Sequence, residues 1–119
     1  IEACPTQAIE EPFIVNANKC LAYHTLENRE EQLPTNIINK MGNWIAGCDI
    51  CQEVCPWNKK TIPNTSEPDL QPSEWVLNIT KKDALTWSDQ KWKDKLSSST
   101  LKRIKPWMWR RNLKSVSNT

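Results

Sequence analysis

The sequence predicts a mostly α-helical fold, in which a cysteine-bearing first part is followed by a small helical C-terminal extension. Glycine occurs only twice and proline eight times, which favours short helices bounded by proline over strands joined by glycine turns. All five cysteines lie between residues 4 and 55, whereas the chain after residue 58 is rich in tryptophan and lysine. We therefore divide the chain into two parts, residues 1–60 and residues 61–119.

In the first part, the apolar run at residues 13–15 is the one plausible extended segment. A helix is expected from residue 23 to about residue 31. A further helix begins at Pro34, because apolar residues then recur at helical spacing, at Ile37, Ile38, Met41, Trp44 and Ile45. Gly47 ends this helix, and residues 51–55 form the turn after it.

In the second part, the prolines between residues 59 and 72 indicate an irregular connector. Short helices are then expected near residues 73–77, 81–85 and 88–96. Ser88 is the expected cap of the last of these, and Pro106 begins a final helix. The core of this small helical bundle is predicted to contain Trp75, Trp87 and Trp92.

The spacing of the cysteines predicts iron–sulfur chemistry. Cys48, Cys51 and Cys55, with a proline directly after the last, reproduce the final three cysteines of the bacterial ferredoxin run C-x₂-C-x₂-C-x₃-C-P. Cys4, also followed by proline, matches the last cysteine of another such run, and Cys20 stands alone between them. The first part is therefore predicted to be a bacterial two-cluster ferredoxin-like iron–sulfur domain.

The same motif assigns the cysteines to clusters. In two-cluster ferredoxins, the fourth cysteine of each run ligates the cluster of the other run. By this rule Cys20, Cys48 and Cys51 hold one 4Fe-4S cluster, which Cys4 completes, and Cys55 crosses to a second cluster. The remaining three ligands of the second cluster are not in this sequence. Since the chain opens without methionine and inside what would be the first run, we expect it to be the C-terminal part of a longer protein.

Two other interpretations of the cysteines stay open. A Cys-x-x-Cys pair also occurs in zinc sites, but zinc would leave Cys55 and both Cys-Pro steps unexplained. Disulfides are disfavoured by the odd number of cysteines and by the lack of a recognisable signal peptide. The single histidine, His24, is interpreted as a packing or surface residue rather than a metal ligand.

Composition argues against a large self-sufficient core and against a membrane protein. Hydrophobic residues make up 38% of the 119 residues, and the mean hydropathy is −0.68, which is lean unless a metal centre compensates. No apolar stretch approaches the roughly 20 residues that span a bilayer. Reduced cysteines indicate the inside of the cell. We therefore expect a cytoplasmic protein with no membrane contact.

Charge is divided unevenly along the chain. Residues 1–80 carry eleven Asp and Glu against five Lys and Arg, whereas residues 81–119 carry eleven basic residues against three acidic ones. Basic residues interleaved with tryptophan favour a nucleic-acid-binding surface, made here of Lys102, Arg103, Lys105, Arg110 and Arg111. An equally good interpretation is a solvated amphipathic helix whose tryptophans belong to the core.

Three stretches of the chain resemble one known family. They are CPT at residues 4–6, CLAYHTLE at residues 20–27 and GCDICQEVCPWN at residues 47–58, and together they resemble the iron–sulfur half of the epoxyqueuosine reductases. The last stretch is the specific one, and the resemblance is strong over residues 1 to about 60. The basic residues within 101–112 resemble the family's basic C-terminal segment more loosely.

The resemblance implies an oxidoreductase that reduces epoxyqueuosine in tRNA to queuosine, the last step of queuosine biosynthesis. In that family, two 4Fe-4S clusters pass electrons to cobalamin, which is bound mainly by a domain outside this sequence. The five cysteines match family ligands as assigned above, and no catalytic acid falls within these residues. Next to the cluster ligands, and therefore expected near the corrinoid or the substrate, are Tyr23, Thr25 and Asp49.

The resemblance also implies partners. These are tRNA carrying epoxyqueuosine and a low-potential electron donor, and the protein is expected to be a monomer. The 119-residue chain by itself is expected to be catalytically inactive, because the main cobalamin contacts lie elsewhere. Two other functions share the cysteine spacing, namely a ferredoxin-like electron carrier and the tail of a corrinoid-dependent reductive dehalogenase. Neither needs a tRNA-binding surface, so salt-dependent phosphate binding would separate them from the reductase.

Overall fold

The computed structural model describes residues 1–59 and 65–116, which are mostly helical, so the predicted fold class is confirmed. The predicted boundary between residues 60 and 61 lies outside the described residues. None of the helices within the described ranges is long and apolar enough to cross a membrane. In chain order, the elements are β1 Ile9–Glu11, β2 Ile14–Val15, α1 Leu21–Leu26, α2 Thr35–Ile38, α3 Ile50–Glu53, α4 Glu74–Asn78, α5 Lys81–Thr86, α6 Asp89–Leu96 and α7 Pro106–Ser115, with 3₁₀ turns at Ala17–Lys19, Pro68–Leu70 and Thr100–Arg103.

The predicted extended segment is one strand of an antiparallel hairpin. β1 pairs with β2, and Ile9 lies opposite Val15. Phe13 lies in the turn between them, with a φ of 69° in the left-handed region. The prediction is therefore right for Ile14–Val15 and wrong for Phe13. β1 is not predicted, because two consecutive glutamates remove the alternation of apolar and polar residues that marks a strand.

α1 is shorter than predicted, since it ends at Leu26 rather than near residue 31. The N–H groups of Glu27 and Asn28 both bond to the carbonyl of Tyr23, at 2.8 and 3.0 Å, and close the helix there. A longer helix would carry the three glutamates of residues 27–31 at its C-terminal end. The helix dipole disfavours negative charge at that end, so the charge pattern opposes the extension that the sequence analysis expected.

α2 also stops before its predicted end. Pro34 precedes it as expected, but the helix covers only Thr35–Ile38 and continues as tight turns to Met41. Gly42 then has a φ of 53°, which a right-handed helix cannot accommodate. Ile37 and Met41 are nevertheless fully buried. The apolar spacing therefore identifies the buried face correctly, although the helix does not extend along it.

The helices of the second part begin and end within one residue of the predicted bounds. Ser88 caps α6, because its hydroxyl accepts the N–H of Lys91 at 3.2 Å. Thr80 caps α5 in the same way, with its hydroxyl 3.1 Å from the N–H of Asp83. Pro106 is the first residue of α7, where its missing N–H costs nothing.

Two hydrophobic clusters form the core, and each takes residues from both parts of the chain. The larger cluster lies among α5, α6 and α7, and residues of the first part, such as Leu26 and Ala46, pack against it. The smaller one surrounds α2, and Cys48 packs against it. Ile45 contacts both clusters. The buried members of the smaller cluster are Leu21, Leu33, Ile37, Met41 and Val116.

The tryptophans of the second part bear on both interpretations of the basic segment. Trp92 and Trp109 stack with their ring centroids 4.5 Å apart, and Trp87 and Trp75 continue the series at 4.7 and 5.6 Å. Trp109 is buried, as the amphipathic interpretation expected, whereas Trp107 is 41% exposed. One face of α7 therefore belongs to the core, and the other remains available to solvent.

Candidate iron–sulfur centre

Four cysteines from separate places in the chain lie in one electrostatic neighbourhood. Burial raises the pKa of the Cys48 thiol, and the charges of Cys51, Cys20 and Cys4 raise it further, against a lowering by the N–H of Ile50. Interactions of this kind require the sulfurs to lie near one another. Cys4, Cys20 and Cys51, which the ferredoxin rule assigns to one cluster with Cys48, therefore lie near enough to Cys48 to affect its pKa. Their ligation of one cluster stays a prediction.

Each of these cysteines occupies a junction between elements. Cys4 closes a turn near the N-terminus, where its N–H bonds to the carbonyl of Ile1 at 3.2 Å. Cys20 directly precedes α1 and has extended backbone angles. Cys48 follows Gly47, whose φ of 78° is the conformation that glycine adopts most easily. Cys51 lies on α3, a single short turn of helix. Turns and helix starts leave the sulfurs accessible to a common ligand.

Hydrogen bonds to sulfur are already present at Cys4. The N–H of Ala8 donates to the Cys4 sulfur at 3.2 Å, and the Thr6 hydroxyl lies 3.5 Å from it. Burial opposes ionisation of this thiol, but the hydrogen bonds from Thr6 and from backbone N–H groups outweigh it, so the pKa of Cys4 is lowered. Donors of this kind stabilise a cluster-bound thiolate and tune its potential.

A cubane cluster and a single zinc ion differ in how closely they hold their thiolates. Within residues 1–59 and 65–116, no group of three or more His, Cys, Asp or Glu side chains is placed to hold one metal ion. Thiolates around a single zinc stand only ~2.3 Å from the metal. A 4Fe-4S cluster instead puts an iron in front of each thiolate and so holds the four sulfurs farther apart. The preference for a cubane cluster over zinc rests on the cysteine spacing.

Thr25 fastens the two cysteine-bearing segments to each other. Its side-chain oxygen donates to the carbonyl of Leu21 and accepts the N–H of Gly47, both at 2.9 Å. These bonds connect α1, which begins after Cys20, to the residue before Cys48. Thr25 is completely buried. The structure thus corrects the expectation that Thr25 faces a corrinoid, because its hydroxyl is enclosed and fully bonded.

α7 holds the same region from the other side through Asn112. This side chain is completely buried, and its amide nitrogen donates to the carbonyls of Thr25 and Ile45, each at 2.9 Å. The Asn112 amide nitrogen thereby hydrogen-bonds both to the C-terminal end of α1 and to the segment that precedes Cys48. Asn112 was not a predicted site residue, since a single asparagine inside a basic helix carries no recognisable signal.

Arg111 completes this connection. Its guanidinium donates to the carbonyls of His24 at 3.0 Å, Asn28 at 2.8 Å and Glu30 at 2.6 Å, and its Nε donates to Asn112 at 3.1 Å. Burial and the nearby charge of Arg29 lower its pKa. A guanidinium suits the end of α1, because it satisfies carbonyls that the helix leaves open. This corrects the expectation that Arg111 grips phosphate, since the side chain is buried and committed to the backbone.

The other predicted basic residues lie at or near the surface. Arg103 forms an ion pair with Glu27 at 2.9 Å, and Arg110 bonds to Asp89 and to the carbonyl of Trp87. Lys102 and Lys105 are exposed. Tyr23 and Asp49 are also exposed beside cluster ligands, so they remain candidates for a contact with a corrinoid or substrate.

His24 is a packing residue, as the sequence analysis interpreted it. The Asn28 side-chain oxygen accepts the N–H of Glu30 at 2.8 Å, so the Asn28 amide nitrogen is the atom that donates to His24 Nδ1 at 2.9 Å. The proton of the ring is therefore on Nε2, which donates to the carbonyl of Asn18 at 2.8 Å. Both ring nitrogens are engaged, and His24 is buried away from solvent.

Comparison with known proteins agrees with this geometry. Residues 1–58 match a family described as a 4Fe-4S double cluster binding domain. The chain is 76% identical over 117 residues to an epoxyqueuosine reductase of Prochlorococcus marinus (strain NATL2A), covering 98% of this chain and 38% of the relative. It is 59% identical over 112 residues to an epoxyqueuosine reductase of Synechococcus sp. (strain CC9605), covering 94% and 35%. The chain belongs to the epoxyqueuosine reductase family. It spans little more than a third of the length of these epoxyqueuosine reductases.

The solved structures of epoxyqueuosine reductases have the same fold. A crystal structure of epoxyqueuosine reductase with a tRNA-Tyr epoxyqueuosine-modified tRNA stem loop superposes with a TM-score of 0.84 at 31% identity, over 96% of this chain and 30% of that one. A selenomethionine-labelled epoxyqueuosine reductase gives 0.85 at 30% identity, over 96% and 30%. The matched region includes α4 to α7, so the helical extension belongs to the fold of epoxyqueuosine reductases together with the cysteine-bearing part.

Proposed function

We propose that this chain is the iron–sulfur part of an epoxyqueuosine reductase, which reduces epoxyqueuosine to queuosine in tRNA. The observation that carries the proposal is the common neighbourhood of Cys4, Cys20, Cys48 and Cys51, the four residues that the two-cluster rule assigns to one 4Fe-4S cluster. Cys55 is proposed to contribute to a second cluster, whose other ligands are not in this sequence.

Within this proposal, the chain's own residues hold and shield the cluster. A 4Fe-4S cluster supplies a one-electron carrier of low potential when it is bound. The N–H of Ala8 and the hydroxyl of Thr6 stabilise the Cys4 thiolate. Cys48 and half-buried Ile45 pack against the same hydrophobic cluster, which limits the access of water. Cobalamin would supply the organic chemistry, and exposed Tyr23 and Asp49 are the candidate contacts to it within this chain.

The proposed partner is tRNA carrying epoxyqueuosine. Support comes from the solved relative that holds an epoxyqueuosine-modified tRNA stem loop and from the basic residues of the second part. Exposed lysines and arginines bind RNA phosphates and displace counterions, so this binding should weaken steeply with salt. The proposal also includes a low-potential electron donor, a monomeric protein and a cytoplasmic location.

The cluster assignment is tested by anaerobic reconstitution of the chain with iron and sulfide, followed by iron analysis and electron paramagnetic resonance of the reduced sample. We expect about four irons per chain and a cubane signal. Cys48→Ala should lose both. Cys55→Ala is the matched control, because Cys55 is also half-buried but is assigned to the other cluster. One zinc per chain without a resonance signal, or equal iron loss in the two variants, would contradict the assignment.

The activity is tested in a chimaera. This chain replaces the matched 38% of the Prochlorococcus marinus reductase, to which it is 76% identical. The chimaera should convert epoxyqueuosine to queuosine in a tRNA stem loop under reducing conditions, and Cys48→Ala within it should abolish conversion. Activity that survives loss of the cluster signal would show that the electrons take another route.

A further inference from the structure

A large groove on the described surface lies between the segment of residues 29–38 and α7. Its cavity volume is about 950 Å³, which is sufficient for more than one nucleotide-sized ligand. Its floor includes Leu33 and Ile38, which belong to the hydrophobic cluster against which Cys48 packs. The groove and Cys48 therefore contact the same hydrophobic cluster.

The groove carries an excess of positive charge. Arg29, Arg110, Arg111 and Lys114 line it, and Glu31 is the acidic residue on its wall. Among the described residues, Arg29, Arg111 and Lys114 belong to no ion pair, whereas Arg110 pairs with Asp89. Arg29 and Arg111 stand close enough to repel each other. Cations that lack carboxylate partners and face a common space favour an anionic ligand.

An aromatic ring stands among these charges. Trp107 lines the groove and is 41% exposed, in contrast to Trp109, two positions further along the helix, which is buried. The Arg111 guanidinium lies 5.4 Å from the centre of the Trp107 ring and helps to hold the ring in place. Exposed indoles next to basic residues are the platforms on which unpaired nucleic-acid bases stack.

The second basic surface, around Lys102 and Lys105, has fewer of the features that bind single-stranded RNA. Lys102 and Lys105 line a separate cavity of only about 150 Å³, together with Trp92, which is itself buried in the core. No exposed aromatic ring lines that cavity. It can attract phosphate by charge but provides no stacking surface for a base.

We propose that the groove between residues 29–38 and α7 binds the single-stranded loop of an RNA, with phosphates on Arg29 and Lys114 and one base stacked on Trp107. This assignment rests on the proposed function, and it specifies where on this chain the tRNA lies. Arg111 contributes from beneath, because it orients the Trp107 ring and adds charge while its own donors remain on the backbone.

The test measures binding of a fluorescently labelled, epoxyqueuosine-modified tRNA-Tyr stem loop to the reconstituted 119-residue chain by anisotropy over a series of salt concentrations. Lys114→Gln removes a groove charge, and Lys95→Gln is its matched control, since both lysines are exposed in the last turn of their helices. Trp107→Leu keeps an apolar side chain but removes the stacking face. Thermal unfolding of each variant confirms that the fold is kept.

Lys114→Gln should lower the slope of log affinity against log salt by about 0.7, the value for one phosphate on a single strand, and Lys95→Gln should leave it unchanged. Trp107→Leu should weaken binding at least about five-fold, as loss of one stacked base does. Equal behaviour of Lys114→Gln and Lys95→Gln, or binding of a loop-free RNA duplex as tight as that of the stem loop, would overturn the groove assignment alone. No RNA binding by the unaltered chain would overturn the proposed tRNA partner as well.

Discussion

Arg111→Lys is the substitution that best separates a structural from a nucleic-acid-binding role for the basic helix. Both side chains carry one positive charge, so a residue that only attracts phosphate should tolerate the exchange. Arg111 instead donates to the carbonyls of His24, Asn28 and Glu30 and to the side chain of Asn112. Lysine presents its donors on a single nitrogen and cannot reproduce the planar fork that spans these acceptors.

The expected loss follows from the acceptors that lysine leaves unpaired. We expect at least two of the four hydrogen bonds to be lost, and a hydrogen bond to a charged group is worth about 1.5–3 kcal/mol. Arg111→Lys should therefore lower the free energy of unfolding by about 3–5 kcal/mol. Small domains have only about 5–15 kcal/mol in total, so the variant would lose a large fraction of its stability.

Equilibrium unfolding in urea, followed by tryptophan fluorescence, measures this loss. A decrease of about 4 kcal/mol with a slope of about 2 kcal/mol per molar lowers the midpoint by about 2 M urea. Arg110→Lys is the matched control, because Arg110 is the neighbouring residue and its ion pair with Asp89 survives the exchange at a cost of less than about 1 kcal/mol. If the two variants have the same midpoint, the structural role of Arg111 is refuted.

Three further predictions concern the cysteines and the helix ends. Burial opposes ionisation of the Cys4 thiol, but hydrogen bonds outweigh it and lower its pKa, whereas burial raises the pKa of Cys48. Since the thiolate is the nucleophile, iodoacetamide should modify Cys4 at lower pH than Cys48 in the cluster-free chain. Identical pH profiles of the two modifications, measured by mass spectrometry, would refute this. Gly47→Ala should lower the free energy of unfolding by about 1–2 kcal/mol, because residue 47 has a positive φ. It should also reduce the iron content of the reconstituted chain, because a shift of the backbone at residue 47 would move Cys48, the next residue. Ser88→Ala should cost about 1 kcal/mol in thermal unfolding through loss of the α6 cap, whereas Ser97→Ala, beyond the other end of α6, should cost less.

The prediction of the cluster ligands and the confirmed prediction of the helices in the second part both rest on local signals in the sequence. Iron–sulfur ligation fixes both the residue type and the spacing, so Cys48, Cys51 and the proline after Cys55 carry the information by themselves. Ser88 and Pro106 mark helix starts through chemistry within three residues of their own position. Signals of this kind do not depend on where the rest of the chain goes.

The lengths of α1 and α2 were not predictable in the same way. Apolar spacing identified Ile37 and Met41 as buried, but it could not show that Gly42 would leave the helical region. The carboxylates after Leu26 were interpreted as part of a helix, although their position at its end opposes the helix dipole. For α2, the apolar spacing predicted which face is buried, but for neither helix did it predict where the helix ends.

The contacts that hold the centre together leave no periodic pattern, because they join side chains of α7 to backbone carbonyls far away in the sequence. Asn112 binds the carbonyls of Thr25 and Ile45, and Val116 completes the hydrophobic cluster against which Cys48 packs. The basic extension is therefore part of the support of the iron–sulfur centre as well as a candidate surface for RNA. Under the proposed assignment, RNA in the groove would contact the same helix that fixes the segment before Cys48, and the binding site and the redox site would share one helix.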